Sequence, residues 1–187
     1  MPINHFDLVS GIYQRWARFD PQHPLLGMLD LPGQGLIVDV GGGTGRVARL
    51  LAAPGRPVVV VDVSPGMLRR TCGQADIWPV MADAAHLPFE SGAAVRCLIV
   101  DALHHIPSQQ ASIDELCRVL QTGGILVVDE PDLRSFVVKL IRIGEWLLWM
   151  GSHFLNRRQL EALFNHHPGQ IDVQAWRGSL MLRFNKV

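Results

Sequence analysis

Five short apolar runs, each with an acidic residue at or near its exit and separated mostly by helix-patterned stretches, restrict this chain to an alternating strand–helix fold. Residues 36–40 (LIVDV) are apolar and β-branched and enter a glycine cluster, beyond which residues 46–53 (RVARLLAA) read as a helix stopped by Pro54-Gly55. Residues 58–62 (VVVVD) have the composition of a strand buried on both faces of a parallel sheet, and residues 65–72 follow as a short helix. Residues 77–81, 95–100 and 124–129 supply three more strands, with an amphipathic helix over 108–120 between the last two; Pro79 weakens the first of them. Residues 171–176 and 180–184 flank Arg177-Gly178-Ser179 as a hairpin. The order predicts an α/β fold: a Rossmann-like, doubly wound sheet, mostly parallel, with a C-terminal antiparallel hairpin.

A length of 187 residues suits a single domain. Residues 5–30 read as one or two helices, so 1–35 is expected to form a helical cap, 36–131 the core, and 132–187 lid helices with the hairpin. Lys plus Arg (17) balances Asp plus Glu (17), which argues against a partner whose phosphates must be neutralised, nucleic acid above all. Cys72, Cys97 and Cys117 have neither disulfide nor metal-ligand spacing and read as buried thiols. The opening MPINHFDLVS lacks a basic segment followed by an apolar one, so a cytoplasmic protein is expected. The greasiest stretch, residues 133–150, is broken by Arg134, Lys139, Arg142 and Glu145; it does not span a membrane, though it is compatible with peripheral contact. Oligomeric state is left open.

In a doubly wound sheet, ligands lie outside the carboxyl ends of the strands, and the acids gather there. Asp39, Gly41, Gly43 and Gly45 form D-x-G-x-G-x-G across the first strand-to-helix turn; Asp62, Asp83, Asp101 and Asp129-Glu130 stand at the later exits. Glycines permit positive φ and close approach of a ligand to the backbone. An acid ending the second strand can accept from ribose hydroxyls, the place Asp62 takes. The dinucleotide fingerprint fails at Arg46, where a small residue is required, and no G-K-[ST] completes a phosphate loop. Asp39 repels a pyrophosphate but suits a ligand with an amino group or positive centre, as S-adenosylmethionine has.

The segments VDVGGGTG (38–45), VDVSPGML (61–68), ADAAHLPF (82–89), DALHHIP (101–107) and RVLQTGGILVVDEP (118–131) resemble, in order, the motifs of class I S-adenosylmethionine-dependent methyltransferases. LPF and LHHI are closest to the small-molecule branch that includes the ubiquinone and menaquinone biosynthesis C-methyltransferases. The resemblance implies Gly41, Gly43 and Gly45 under the methionine part and ribose, Asp39 near the amino group, and Asp62 on the ribose hydroxyls. It further implies Val63 and Met67 on the adenine, Asp83 with the Ala84 backbone at its exocyclic amine, and Asp101 and Ala102 along the methionine side. Tyr13 resembles a tyrosine of the N-terminal helix that closes over the cofactor, although Gln14 replaces the usual Asp and Gln121-Thr122 the frequent Lys-Pro. The product would be S-adenosylhomocysteine.

Methyl transfer asks the protein chiefly for alignment, so a base is needed only where the acceptor is a phenol, thiol or acidic carbon. His104 and His105 are then the candidate catalytic residues, with Tyr13 behind them. Asp129-Glu130 can face the substrate or cap the segment beginning at Pro131. Trp146, Trp149, Met150, Phe154, Tyr13 and Trp16 can line an acceptor site or fill core. A small, apolar or aromatic acceptor, prenylated ones included, is expected; no metal site is. Two alternatives stand beside this reading: a non-catalytic protein that binds S-adenosylmethionine or S-adenosylhomocysteine, and, disfavoured by Arg46 and Asp39, an NAD-dependent oxidoreductase.

Overall fold

The computed structural model describes residues 19–132 and 153–187. Seven strands form one sheet in the order β3-β2-β1-β4-β5-β7-β6. They are β1 (Ile37–Val40), β2 (Val58–Asp62), β3 (Ile77–Met81), β4 (Ala94–Val100), β5 (Leu120–Pro131), β6 (Gly169–Trp176) and β7 (Ser179–Lys186). The first five run parallel, while β7 lies antiparallel to both β5 and β6. The expected architecture of a mostly parallel doubly wound sheet with a C-terminal antiparallel hairpin is therefore the observed one. The hairpin turn is tighter than expected. Arg177 and Gly178 alone make it, both at positive φ (44° and 90°), which matches the twist a two-residue loop needs.

The strands alternate side chains between two apolar layers. Val38, Val59, Cys97, Ile99, Leu126 and Val128 face one layer, where they meet Ile113 and Leu116 of helix α4 (Gln109–Val119). Ile37, Val58, Val60, Leu98, Ile125 and Val127 face the other, against Leu25 and Met28 of α1 (Pro24–Met28) and Ala48 and Leu51 of α2 (Ala48–Leu51). Each fully buried Leu, Ile or Val contributes about 1.5–3 kcal/mol. Pro79 is accommodated because β3 is an edge strand.

Three expectations need correction. The helix after the first glycine turn is only Ala48–Leu51, because Thr44–Val47 are spent on the turn itself. β5 starts at Leu120 rather than Gly124: the register passes from Ala94↔Leu120 to Arg96↔Ile125 through an irregularity that Gly123, at φ 76°, helps absorb. Cys97 and Cys117 are buried, but Cys72 is exposed, in the turn that follows the short α3 (Pro65–Leu68). Tyr13, Trp16, Trp146, Trp149, Met150 and the 133–150 segment lie outside the described residues. No helix among the described residues is long and apolar enough to cross a membrane.

Candidate cofactor and acceptor site

The strand order reverses between β1 and β4, and a cavity of about 620 Å³ opens at the carboxyl ends of the strands there. That volume is in the range of small-molecule sites. Its floor is the turn after β1. Gly41 (φ 67°) and Gly43 (φ 56°) both adopt the left-handed region. A Cβ on Gly41 would fall 2.5 Å from that of Ala102, so the floor and the β4 exit touch through that missing atom. A Cβ on Gly43 would meet nothing in the protein closer than Asp62 Oδ2 at 3.8 Å; it would occupy cavity space.

Asp62, at the end of β2, fastens the turn. Its Oδ2 accepts from Gly43 N (3.0 Å) and its Oδ1 from Ser64 N (2.8 Å), which aims the carboxylate along the cavity wall. Met67 is buried beside it, Val63 is exposed at the rim, and Ala84 lies buried with Asp83 next to it. Asp83 accepts from Ala85 N (2.9 Å) in its own turn, and its side chain stays 62% exposed. Asp101, at φ 54°, leaves β4 in the left-handed region and pairs with Arg46 across the cavity mouth (3.2 Å). Gly45 is the exception: it does not line the cavity, and at φ 73° it closes the turn by donating to Gly42 O, its missing Cβ making room for Thr71.

Asp39 lies at the bottom, 1% exposed, with Oδ2 lacking any hydrogen-bond partner among the described residues. Burial, opposed by Arg46 and reinforced by Asp62, pushes its carboxyl up to about 7. A buried, half-satisfied carboxylate at the floor of a cavity suits a cationic or N–H-bearing ligand group. Together with the space left by Gly43 and the aimed carboxylate of Asp62, this donor and acceptor set fits an adenosyl amino-acid cofactor.

The far wall is built by the 3-10 turn Leu103–His105, whose His104 is 2% exposed, and by Phe154. The His104 ring stacks on Phe154 with centroids 4.6 Å apart and planes 13° from parallel. His153 N donates to His104 O at 2.6 Å, tying the returning chain to this turn. Burial, helped by the neighbouring His104, pushes the His105 imidazole down to about 4, so it is neutral near pH 7.

Two residues, one lining the cavity and one beneath its wall, have roles that differ from those the sequence suggests. In the sequence Arg46 stands only as an obstacle to dinucleotides, yet in the structure it is a cation among the strand-end acids, and its position directly after the glycine turn is the available signal. Glu130, which the sequence lets face the substrate or cap the segment beginning at Pro131, reaches back from the end of β5 under the 3-10 turn. Among the described residues no cluster of three or more His, Cys, Asp or Glu side chains is arranged to hold a metal ion.

A methyltransferase-domain family model matches residues 38–128. A demethylmenaquinone methyltransferase of Clavibacter sepedonicus is 39% identical over 112 residues, covering 58% of this chain and 45% of that protein. A ubiquinone/menaquinone biosynthesis C-methyltransferase of Bordetella parapertussis is 31% identical over 183 residues, covering 88% of this chain and 68% of that one. A Thermotoga maritima methyltransferase structure, described as a possible histamine N-methyltransferase, superposes with a TM-score of 0.80 at 20% identity over 97% of this chain and 98% of that one. The chain belongs to the class I S-adenosylmethionine-dependent methyltransferases. Their methyl donor is S-adenosylmethionine. The chain spans about half or less of the length of several curated relatives it matches.

Proposed function

We propose that this chain transfers a methyl group from S-adenosylmethionine to a small, apolar or aromatic acceptor. The observation that carries the reading is the cavity at the β1/β4 reversal, where the glycine turn, the fastened Asp62 and the orphaned Asp39 oxygen converge. In this reading Gly41 and Gly43 lie under the methionine part and ribose, Asp62 accepts from the ribose hydroxyls, and Asp39 faces the amino group. Val63 and Met67 pack on the adenine, Asp83 and the Ala84 backbone meet its amine, and Asp101 and Ala102 line the methionine side. Gly45 acts by shaping the turn, Tyr13 closes over the cofactor, and His104 and His105 stand on the acceptor side. Residues 36–131 form the cofactor-binding part of a single domain, and its two ends supply acceptor recognition. When bound, the cofactor supplies a methyl group activated by a sulfonium; the protein aligns the acceptor with it and keeps water out.

Apolar Ile106 and Phe154 on the acceptor side, and relatives named for quinone biosynthesis, support a neutral, greasy acceptor. The test is turnover on a panel of prenylated naphthoquinols and benzoquinols, catechols, thiols and imidazole amines, beside calorimetry with S-adenosylhomocysteine. Methylation of the quinols or catechols is the expected result. Binding without turnover on every acceptor would favour the non-catalytic alternative, and methylation confined to charged compounds or nucleic acid would sink the acceptor class.

The Asp39 carboxyl gives a second expectation. Its folded pKa is raised to about 7 from an ordinary 3.8, so its stabilising share is complete below about pH 4 and is lost as pH rises through 7. Asp129, raised to about 7 by burial, acts in the same direction. An ammonium group beside Asp39 favours the carboxylate, so S-adenosylhomocysteine should bind more tightly from pH 6 to pH 8 and release a proton at the lower end. Calorimetry in two buffers of different ionisation enthalpy reads the proton directly. Asp39→Asn should abolish that release; its persistence would assign the proton to another group.

A further inference from the structure

Gln109, the first residue of α4, carries an amide whose two hydrogens are both engaged. Its Nε2 donates to Leu103 O in the 3-10 turn (3.0 Å) and to His153 O (2.7 Å), in the chain that leads into α5 (Arg157–Ala162). His153 N donates in turn to His104 O at 2.6 Å, so both backbone groups of His153 are held, one by the turn and one by the glutamine. Gln110 does the same beyond the far end of α5, where its Nε2 donates to Leu163 O (2.9 Å). The side chain placed by this clasp is Phe154. Its ring lies on that of His104 with centroids 4.6 Å apart and planes 13° from parallel, the His105 ring follows 4.0 Å further on, and all three residues line the cavity. Phe154 is only half-buried. An aliphatic side chain could supply apolar area there; a flat face is what the phenylalanine adds.

We propose that Phe154 is a specificity-determining residue of the acceptor site, a flat wall that favours a planar ring over a saturated one, and that Gln109 is the positioning residue that holds it in place. This rests on the reading of the cavity as a methyl-transfer site, and it goes further by naming the side chain that tells aromatic from aliphatic acceptors. The selection works by ring contact: a planar acceptor meets Phe154 stacked or edge-on, a gain of about 2- to 10-fold beyond the area buried. A saturated ring of the same size is greasier but not flat, so burial alone favours it and ring contact opposes that preference. The place of Phe154 depends on donors at residue 109. Gln109→Glu keeps the length and shape of the side chain but turns lone pairs towards the carbonyl oxygens of Leu103 and His153. A carboxylate in the first turn of a helix is favoured by the helix dipole, so this variant loses the clasp without a general loss of fold.

The pair 1-naphthol and decahydro-1-naphthol reads the selection without turnover. With S-adenosylhomocysteine saturating, calorimetry on the unsubstituted protein should show 1-naphthol binding the more tightly, by about 2- to 10-fold. Phe154→Leu and Gln109→Glu should each erase that preference and Phe154→Tyr should keep it, with S-adenosylhomocysteine affinity within about twofold in all three. On an aromatic acceptor that is turned over, Gln109→Glu should raise KM more than it lowers kcat. No preference for the aromatic alcohol in the unsubstituted protein overturns the proposal whether or not any variant folds, and a preference that survives Phe154→Leu does the same. Loss in Phe154→Leu beside a full preference in Gln109→Glu removes the positioning role of the glutamine alone. An unsubstituted protein that binds no S-adenosylhomocysteine would end the methyl-transfer reading and this inference together, a result distinct from the others.

Discussion

Asp62→Ala is expected to weaken S-adenosylhomocysteine binding by on the order of 100-fold or more, read by calorimetry. The side chain does two jobs. It accepts from Gly43 N and Ser64 N, holding the glycine turn in shape, and its carboxylate is proposed to meet the ribose hydroxyls. Two hydrogen bonds to a charged group at about 1.5 kcal/mol each account for a factor on the order of 100 before any loosening of the turn is added. Because the two backbone donors are only partly buried, the same variant should lose just about 1–2 kcal/mol of stability, leaving the far-ultraviolet dichroism unchanged. Asp83→Ala is the internal contrast. With its side chain 62% exposed, the competing water makes each of its bonds worth less, and the affinity loss should stay within about tenfold. Equal losses in the two variants would mean that the fastened carboxylate at β2 has no special part in holding the cofactor.

Gly41→Ala should damage both stability and binding. At φ 67° an alanine carries the left-handed cost of about 1–2 kcal/mol, and its Cβ would stand 2.5 Å from that of Ala102. Neither atom sits on a flexible side chain, so backbone must shift, at about 1–3 kcal/mol more. A total of about 2–5 kcal/mol should appear as a lower denaturation midpoint, with cofactor affinity falling at least tenfold as the floor moves. Gly73 supplies the control: φ is 78°, but nothing lies within 4 Å of its Cβ position, so Gly73→Ala should cost only the backbone part, about 1–2 kcal/mol, and leave binding alone. If the two variants lost equal stability, the Ala102 contact would not be what Gly41 avoids.

What could be read from the sequence was what short-range chemistry determines. β2 was predicted at its observed bounds because four valines and an aspartate leave no other reading in this context, and the glycine turn was placed because positive φ demands those residues. The boundaries that failed did so for local reasons: Arg46 and Val47 resemble a helix start but are consumed by the turn, and residues 121–123 resemble a loop but belong to β5 through an irregular register. The Glu130–His104 contact could not be read at all. The two residues are 26 positions apart and meet only because β4 and β5 pair in parallel with Val100 opposite Asp129. Asp39 was assigned to the ligand's amino group by charge, and only burial reveals that its carboxyl resists ionisation until about pH 7.

The insertion of β7 between β5 and β6 bears on how small a working unit can be cut from this chain. From Ile125 to Pro131 the outer edge of β5 is paired with β7, Ser179 stands opposite Pro131, and Asp132 N donates to Gly178 O in the hairpin turn. A fragment stopping at Pro131 would retain every strand that surrounds the glycine turn and yet present seven consecutive strand residues with an unpaired edge, an invitation to chain-to-chain pairing. It would also strip one flank from the strand that delivers Glu130. The cofactor-binding motifs are contiguous in sequence, but the strand that seals the edge of their sheet, β7, comes more than 45 residues after the last of them.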